Sequence, residues 1–367
     1  LIQNGKARIE RETLNMDLLN KRNGLRRLLS DEKHRDSDTS IPKEDVNEEA
    51  EVVLRDAIER LVACILADPR VLLVDEYTEE ERRKDWAALR KKSADTFESR
   101  SRLGHKILDH HMPHFWNVKN HKGNSVAGMI TAEALRKAIW LNLRMHSTPY
   151  KSEIRRTIVL SSGMSSVTKY RAGVSKHIVK KYGAKTVLDP CVGWGGRMLG
   201  SLAGESMYSG FEPDPNTFGG LQGILKDVGM TADVRNEPAE TGLLKIPSGT
   251  FDLVLTSPPY YNLEMYTAGD QSVKEQSWEE WVEGWLKPVV KECLRCLKPE
   301  GKSCWSVKNF KSDKKYPLAD VVRDIHAEMG WVLLDTISVS GPGRPGAKKA
   351  SEEETFVYAN TARSAGH

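Results

Sequence analysis

The sequence lacks the marks of several protein classes. No apolar run reaches the roughly 18 residues that a membrane span needs. The first residues, Leu1 to Lys6, contain no apolar signal segment. Cysteine is scarce. Cys64, Cys191, Cys293, Cys296 and Cys304 form no even, closely spaced framework, which argues against a disulfide scaffold and for a reducing, cytoplasmic setting. Cys293 and Cys296 have no second pair, so they read as a buried helical face rather than a zinc or redox centre. There is no internal repeat, and the net charge of the 367 residues is only +4.

That small net charge is unevenly distributed. Residues 102–180 hold 14 Lys/Arg against three acids, Asp109, Glu133 and Glu153, so the rest of the chain is net acidic. Such a block attracts a polyphosphate backbone, or it is a solvated helical surface; charge alone does not separate the two. His105, His110, His111, His114 and His121 gather around Phe115 and Trp116 in the same window. No cysteine lies among them and their spacing fits no standard ligand pattern, so packing or phosphate contact is favoured over a metal.

The pattern divides the chain into a charged arm (1–46), a helical basic domain (47–165) and a domain of alternating strands and helices (166–367). Helical periodicity covers 47–67, 79–111 and 132–146, with Thr78 and Glu81 forming a capping box and Thr131 an N-cap. Strands follow at 186–188, 207–211, 232–235, 251–256, 303–307, 331–339 and 355–358, with a helix at 171–182 and others between. A long helix opens at the Ser277/Glu280 capping box, buries Trp278, Trp281 and Trp285, and stops at Pro299 and Gly301. This alternation predicts an α/β fold, a mostly parallel seven-stranded sheet with helices on both faces, whose last two strands pair antiparallel. The loop 341–351, with Arg344, Lys348 and Lys349, is either a second contact for a nucleic-acid backbone or a solubilising tip.

Three motifs carry chemistry. Asp189-Pro190-Cys191-Val192-Gly193-Trp194-Gly195-Gly196-Arg197 joins a strand to a helix, and its glycines allow the backbone close to a ligand. Alone it is a weak signal, and a dinucleotide site looks similar. Glu212 ends the next strand, where a carboxylate accepts both hydroxyls of a ribose. Thr256-Ser257-Pro258-Pro259-Tyr260 ends the strand at 251–256. Its two prolines remove amide donors and stiffen the corner, leaving the Ser257 hydroxyl and the Pro258 carbonyl as acceptors beside an aromatic ring. That combination suits an amino group on an aromatic base. Two acceptors pulling on its hydrogens localise the nitrogen lone pair, and Tyr260 stacks on a base flipped from its duplex.

In this order the motifs resemble those of DNA amino-methyltransferases, and Asp189–Arg197 with Thr256–Tyr266 is most similar to phage and mobile-element examples. The resemblance covers about residues 165–360. It implies a Rossmann-like class I fold binding S-adenosylmethionine (SAM), base flipping, and an intracellular home in a bacterial or phage-infected cell, where such enzymes accompany restriction systems. It places the cofactor on Asp189, Pro190, Cys191, Gly193, Gly195 and Glu212, its methionine part on Lys169 and Tyr170, and its adenine on Glu240 or Glu237. Ser257, Pro258, Pro259 and Tyr260 then meet the target base. Little chain follows the catalytic half, so the basic helices in front become the candidate for reading DNA.

Ser257, where Asp or Asn would incline toward adenine N6, inclines the reading toward cytosine N4. Two other readings stay open: methylation of an RNA base or a protein glutamine, and a nucleic-acid-binding protein that keeps an inactive fold of this kind.

Overall fold

The computed structural model describes residues 48–95, 101–120, 122–144, 150–161, 168–263, 277–340 and 352–360. The expected arm 1–46, the loop 341–351 and His121 lie outside the described residues.

In chain order the helices are α1 (Glu48–Ala67), α2 (Arg70–Leu73), α3 (Glu79–Lys91), α4 (His105–His111), α5 (Ala132–Arg144), α6 (Lys151–Ser161) and α7 (Ala172–Lys181). Strands and helices then alternate: β1 (Thr186–Asp189), α8 (Gly196–Ala203), β2 (Met207–Phe211), α9 (Pro215–Val228), β3 (Asp233–Arg235), α10 (Ala239–Gly242) and β4 (Phe251–Thr256). The chain continues through α11 (Trp278–Trp281), α12 (Lys287–Cys296), β5 (Leu297–Ser306) and a small hairpin of β6 (Phe310–Lys311) and β7 (Lys315–Tyr316). It ends with α13 (Leu318–Glu328), β8 (Trp331–Ser340) and β9 (Glu352–Asn360).

Seven strands form one sheet in the order β3-β2-β1-β4-β5-β9-β8. The pairs from β3 to β5 are parallel, and β9 runs antiparallel to both β5 and β8. This is the Rossmann-like α/β class that the strand–helix alternation predicts. Side chains alternate across it, as the two-residue strand period demands. Val187, Leu253 and Leu255 enter one core with α7, α8 and α9, whereas Leu188 and Val254 enter the other with α12 and α13. From β1 the chain winds one way through β2 and β3, then returns to place β4 on the other side of β1. The carboxyl ends of β1 and β4 therefore flank the switch point, where open α/β sheets bind ligands.

The capping boxes at Thr78/Glu81 and Ser277/Glu280 form as expected, and Thr131 accepts from the Ala134 amide at 3.2 Å. Three boundaries differ. The helix expected over 79–111 is two helices, separated by Gly104 at φ 87°. The C-terminus of α3 is closed by the buried Lys176 ammonium, which donates to the carbonyls of Leu89, Arg90 and Lys92 at 3.0, 2.7 and 2.5 Å. The helix expected to run to Lys298 contains a π-helical turn over Val282–Leu286 and ends at Cys296, because Leu297 already pairs with Phe251 in the sheet.

The third difference is the domain boundary. The described parts of Leu1–Leu73 and Val126–Met164 form one compact unit, and those of Val74–Ser125 and Ser165–His367 form another. The division near 165 falls within one residue of the expected boundary, but residues 74–125 group with the sheet and not with the helices in front, because Leu89, Ile107, Leu108, Met112 and Phe115 share a core with the sheet's helices. The smaller unit has its own core of Ile58, Val62, Ile65, Leu135, Ile139 and Ile158 from α1, α5 and α6.

The basic window thus spans both units, and much of its charge meets acids or carbonyls within its own unit. Arg155 is buried on the Leu72 carbonyl, Lys169 meets Asp109, Arg136 meets Glu59 and Arg156 meets Glu153. Among the described residues no helix is long and apolar enough to cross a membrane. None of their His, Cys, Asp and Glu side chains form a group of three or more able to hold a metal ion.

One buried histidine sets a pH response. His326, with no exposed surface, stacks on Tyr358 with ring centroids 3.9 Å apart. Its Nδ1 lies 2.7 Å from the Val322 carbonyl, so Nδ1 carries the proton, and Nε2 accepts from the Ser303 hydroxyl at 3.0 Å. Burial pushes its pKa down to about 4 from the ordinary 6.5. A depressed histidine contributes stability above pH 6.5, and that contribution is lost as pH falls toward 4. Urea titrations should show about 3 kcal/mol of acid destabilisation from this residue, and His326→Gln should flatten that part of the slope.

Candidate active site

The loop after β1 is held by one carboxylate. Asp189 is fully buried, and each of its oxygens accepts two hydrogen bonds. Oδ2 takes Arg197 Nε at 2.7 Å and the Tyr208 hydroxyl at 2.6 Å; Oδ1 takes the Cys191 amide at 3.0 Å and the Thr256 hydroxyl at 2.8 Å. Four donors fill the acceptor capacity of a carboxylate. Asp189 thus spends its acceptor capacity on the protein and acts by shaping the loop. Burial opposes the Arg197 charge, yet Asp189 holds that guanidinium above its ordinary pKa. Desolvation and the Asp189 charge keep the Cys191 thiol protonated.

The loop glycines divide their tasks. Gly193 has φ 56°, and a Cβ there would meet no atom closer than the Cys191 carbonyl at 3.9 Å, so space is open above it. Gly195 has φ 81°, and a Cβ would strike Leu221 Cδ2 at 2.8 Å. Gly193 thus faces open space, whereas Gly195 lets α9 pack close. Pro190 is buried beneath the loop. Trp194, also buried, pins the loop against Phe115 and His114 at centroid distances of 5.1 and 5.3 Å.

Glu212, at the end of β2, points back under this loop. Its Oε2 accepts from the Gly193 amide at 2.9 Å and its Oε1 from the Asp214 amide at 3.0 Å. One acceptor position remains on each oxygen. Burial raises its pKa to about 7, with Asp214 and Asp189 adding repulsion, while the two amide bonds pull the other way.

After β3 the two candidate acids are held differently. Glu237 is paired with Lys245. Glu240 Oε2 accepts from Trp285 Nε1 at 2.9 Å, and its charge, like those of Asp189 and Glu212, bears on the Cys191 thiol. Glu240 is therefore the acid associated with the loop. Asn236, which sequence reading passed over, donates to the carbonyls of Glu212 and Pro213 at 2.8 and 3.1 Å and fastens β3 to β2.

Lys169 and Tyr170 separate. The Lys169 ammonium binds Asp109 at 2.7 Å and lies over the Phe115 ring at 4.4 Å, so its side chain is directed into the α4 region. Tyr170 stays at the sheet edge: its hydroxyl accepts from Ser306, at the end of β5, at 3.4 Å, and the Arg197 guanidinium lies 5.2 Å from its ring. The histidines that clustered in sequence disperse. His111 binds Asp227 at 2.7 Å, and His114 binds Thr217 at 3.0 Å beside the N-cap of α9.

The corner at 257–260 begins immediately after Thr256, whose hydroxyl is the one on Asp189. One side chain thus joins the proline corner to the glycine loop. Tyr260 is 9% exposed; its hydroxyl accepts from the Lys308 amide at 3.1 Å and its ring meets Phe310 edge-on at 5.3 Å. Tyr261 sits at φ 34°, in the left-handed region that non-glycine residues seldom adopt, walled in by Trp278, Trp281 and Tyr316. The small hairpin braces the same segment. Asp313 accepts from Asn262 at 2.9 Å and from the Tyr316 hydroxyl at 3.0 Å, and Ser312 donates to Asn262 at 2.7 Å. Sequence reading missed the hairpin, whose strands of two residues each leave no periodicity to detect.

Residues 251–363 match the family described as DNA methylase, of N6- and N4-methyltransferases. The type II methyltransferase M.BglII of Bacillus subtilis is 35% identical over 71 residues, which are 19% of this chain and 18% of that protein. The type II methyltransferase M.MjaVI of Methanocaldococcus jannaschii is 32% identical over 95 residues, 25% of this chain and 46% of that protein. The chain therefore spans less than half the length of either relative. Among solved structures, TrmN from Thermus thermophilus aligns at 15% identity and TM-score 0.36, over 52% of this chain and 48% of that one. The Burkholderia thailandensis 1,6-didemethyltoxoflavin-N1-methyltransferase, with S-adenosylhomocysteine bound, aligns at 14% identity and TM-score 0.34, over 51% of this chain and 76% of that one. The segment that matches the DNA methylase family contains β4, the proline corner and the bracing hairpin.

Proposed function

We propose that the protein transfers a methyl group from SAM to the exocyclic amino group of a flipped DNA base, with cytosine N4 favoured over adenine N6. The observation that carries this reading is the Thr256–Asp189 hydrogen bond, which sets the proline corner beside the glycine loop. The residues fit the cofactor. Glu212 keeps two acceptor positions for a ribose diol, the space above Gly193 is open, and Glu240 offers a carboxylate to an adenine amino group. When bound, SAM supplies a methyl group on a sulfonium, an already activated leaving group.

The chain's own part is positioning. The Ser257 hydroxyl and the Pro258 carbonyl accept the two N–H groups of the base, and Pro258 and Pro259 bring no competing amide donor. The Asn262–Asp313 brace keeps that corner from moving as the base enters. For the DNA partner, Lys119, Lys122 and Lys137 are exposed cations of the basic window, and Trp140 is 42% exposed on α5. The three cations support phosphate contact, and Lys137 with Trp140 supports target reading by α5.

The test is transfer of labelled methyl to duplex DNA, structured RNA and protein, followed by mass spectrometry of the released nucleosides. N4-methylcytosine is the expected product. Label in RNA or protein alone would overturn the reading.

Glu212 gives this proposal a pH signature. Ribose hydroxyls donate to the ionised carboxylate, and the carboxyl sits at about 7 without them. Affinity for S-adenosylhomocysteine should be level above pH 7 and should weaken below it, approaching about tenfold per pH unit. In Glu212→Gln binding should be weak and the slope absent. Calorimetric titration across about pH 5.5 to 8.5 reads both.

A further inference from the structure

Three indoles run from Tyr261, beside the proline corner, to Glu240. Trp278 and Trp281 stack with centroids 5.4 Å apart and planes 29° from parallel, and Trp281 and Trp285 stack at 5.4 Å and 20°. At one end Tyr261, next in sequence to the corner, meets Trp278 and Trp281 at 5.6 and 5.7 Å. At the other end Trp285 Nε1 donates to Glu240 Oε2 at 2.9 Å. The helix makes its π turn in this stretch, over Val282–Leu286, and the Lys287 amide reaches back to the Val282 carbonyl.

The hydrogen bond at the end of the column has consequences. Glu240 is half-buried, and no cation pairs with it among the described residues, in contrast to Glu237 on Lys245. Trp285 is 7% exposed, locked by stacking, and offers a single donor. A bond from a rigid neutral donor to a carboxylate fixes which oxygen is occupied and which way the other points, without neutralising the charge. The remaining oxygen therefore keeps its full acceptor strength.

We infer that Trp285 is a positioning residue that aims Glu240 at the amino group of the cofactor's adenine, so that selectivity for adenine over a 6-oxo purine depends on the indole N–H. This rests on the cofactor reading above. A 6-oxo purine would present an acceptor to the free Glu240 oxygen, and sites built around one hydrogen bond reject analogues that cannot make it.

The test measures dissociation constants of the full chain for S-adenosylhomocysteine and S-inosylhomocysteine. The wild-type protein should prefer the adenine compound by about 100-fold or more. Trp285→Phe keeps the stacked ring and deletes the donor, and should reduce that preference about tenfold. Glu240→Gln should reduce it as well, and the double variant should lose little more than either single one, because both act through one contact. Should Trp285→Phe fail to fold, Trp285→His keeps a ring N–H and should retain more of the preference than Glu240→Gln. Equal weakening of both compounds in Trp285→Phe, with the ratio unchanged, would mean that the indole merely packs, and would overturn the inference. Failure of the wild-type protein to bind either compound would instead overturn the cofactor reading beneath it.

Discussion

Asp189→Asn should cost about 3–5 kcal/mol of folding stability, the range for a buried ion pair that loses one partner. Four donors converge on this carboxylate, and one of them belongs to Arg197, itself 5% exposed. An amide in its place has one acceptor oxygen. Its NH2 group would face donors, and the guanidinium would keep its charge in a dry site with no counter-charge. Denaturant unfolding of the two proteins reads the difference directly. Because Asp189 holds the loop from beneath, cofactor affinity should fall along with stability. A variant of wild-type stability would mean that the network is not the anchor described above.

Ser257→Ala should separate binding from chemistry. The side chain lies beyond the Thr256 anchor, and no bond to the glycine loop runs through it. Cofactor affinity should stay within about twofold, whereas kcat for methyl transfer should fall about 100- to 1000-fold, the size expected for one group that stabilises developing charge in a closed site. Single-turnover transfer and S-adenosylhomocysteine titration on the same preparation report the two quantities. Equal losses in both would show that Ser257 holds the pocket together and does not act on the base.

Much of the fold is legible in the sequence because it rests on local signals. Strand period two, helix period 3.6 and the capping boxes at Thr78 and Ser277 are short-range features, and they recover the alternation and the antiparallel last pair. The site motifs are legible for a related reason: Gly193, Glu212 and the Ser257–Tyr260 corner each end a strand of one sheet, so the topology delivers them to one edge.

What is not legible depends on partners distant in sequence. Lys176 closes a helix whose C-cap, Lys92, lies 84 residues earlier. That contact, with the Gly104 turn, explains why the 79–111 segment is two helices. Asp189 looks like a ligand-facing acid until Tyr208 and Thr256 arrive on it from two other strands. Lys169 is placed by the resemblance at the methionine part of the cofactor, and nothing local reveals that Asp109, 60 residues before it, takes its ammonium. Trp285 is core by its spacing, and nothing in the sequence marks its N–H as aimed at Glu240.

The hydroxyl of Thr256 on Asp189 also bears on how the gene may be rearranged. Adjacency of two strand ends, not the order in which translation reaches them, brings the glycine loop and the proline corner together. A rearranged gene that opens the polypeptide in a loop remote from this edge would transpose loop and corner along the message while leaving their meeting point intact. The meeting of loop and corner is indifferent to which of them is synthesised first.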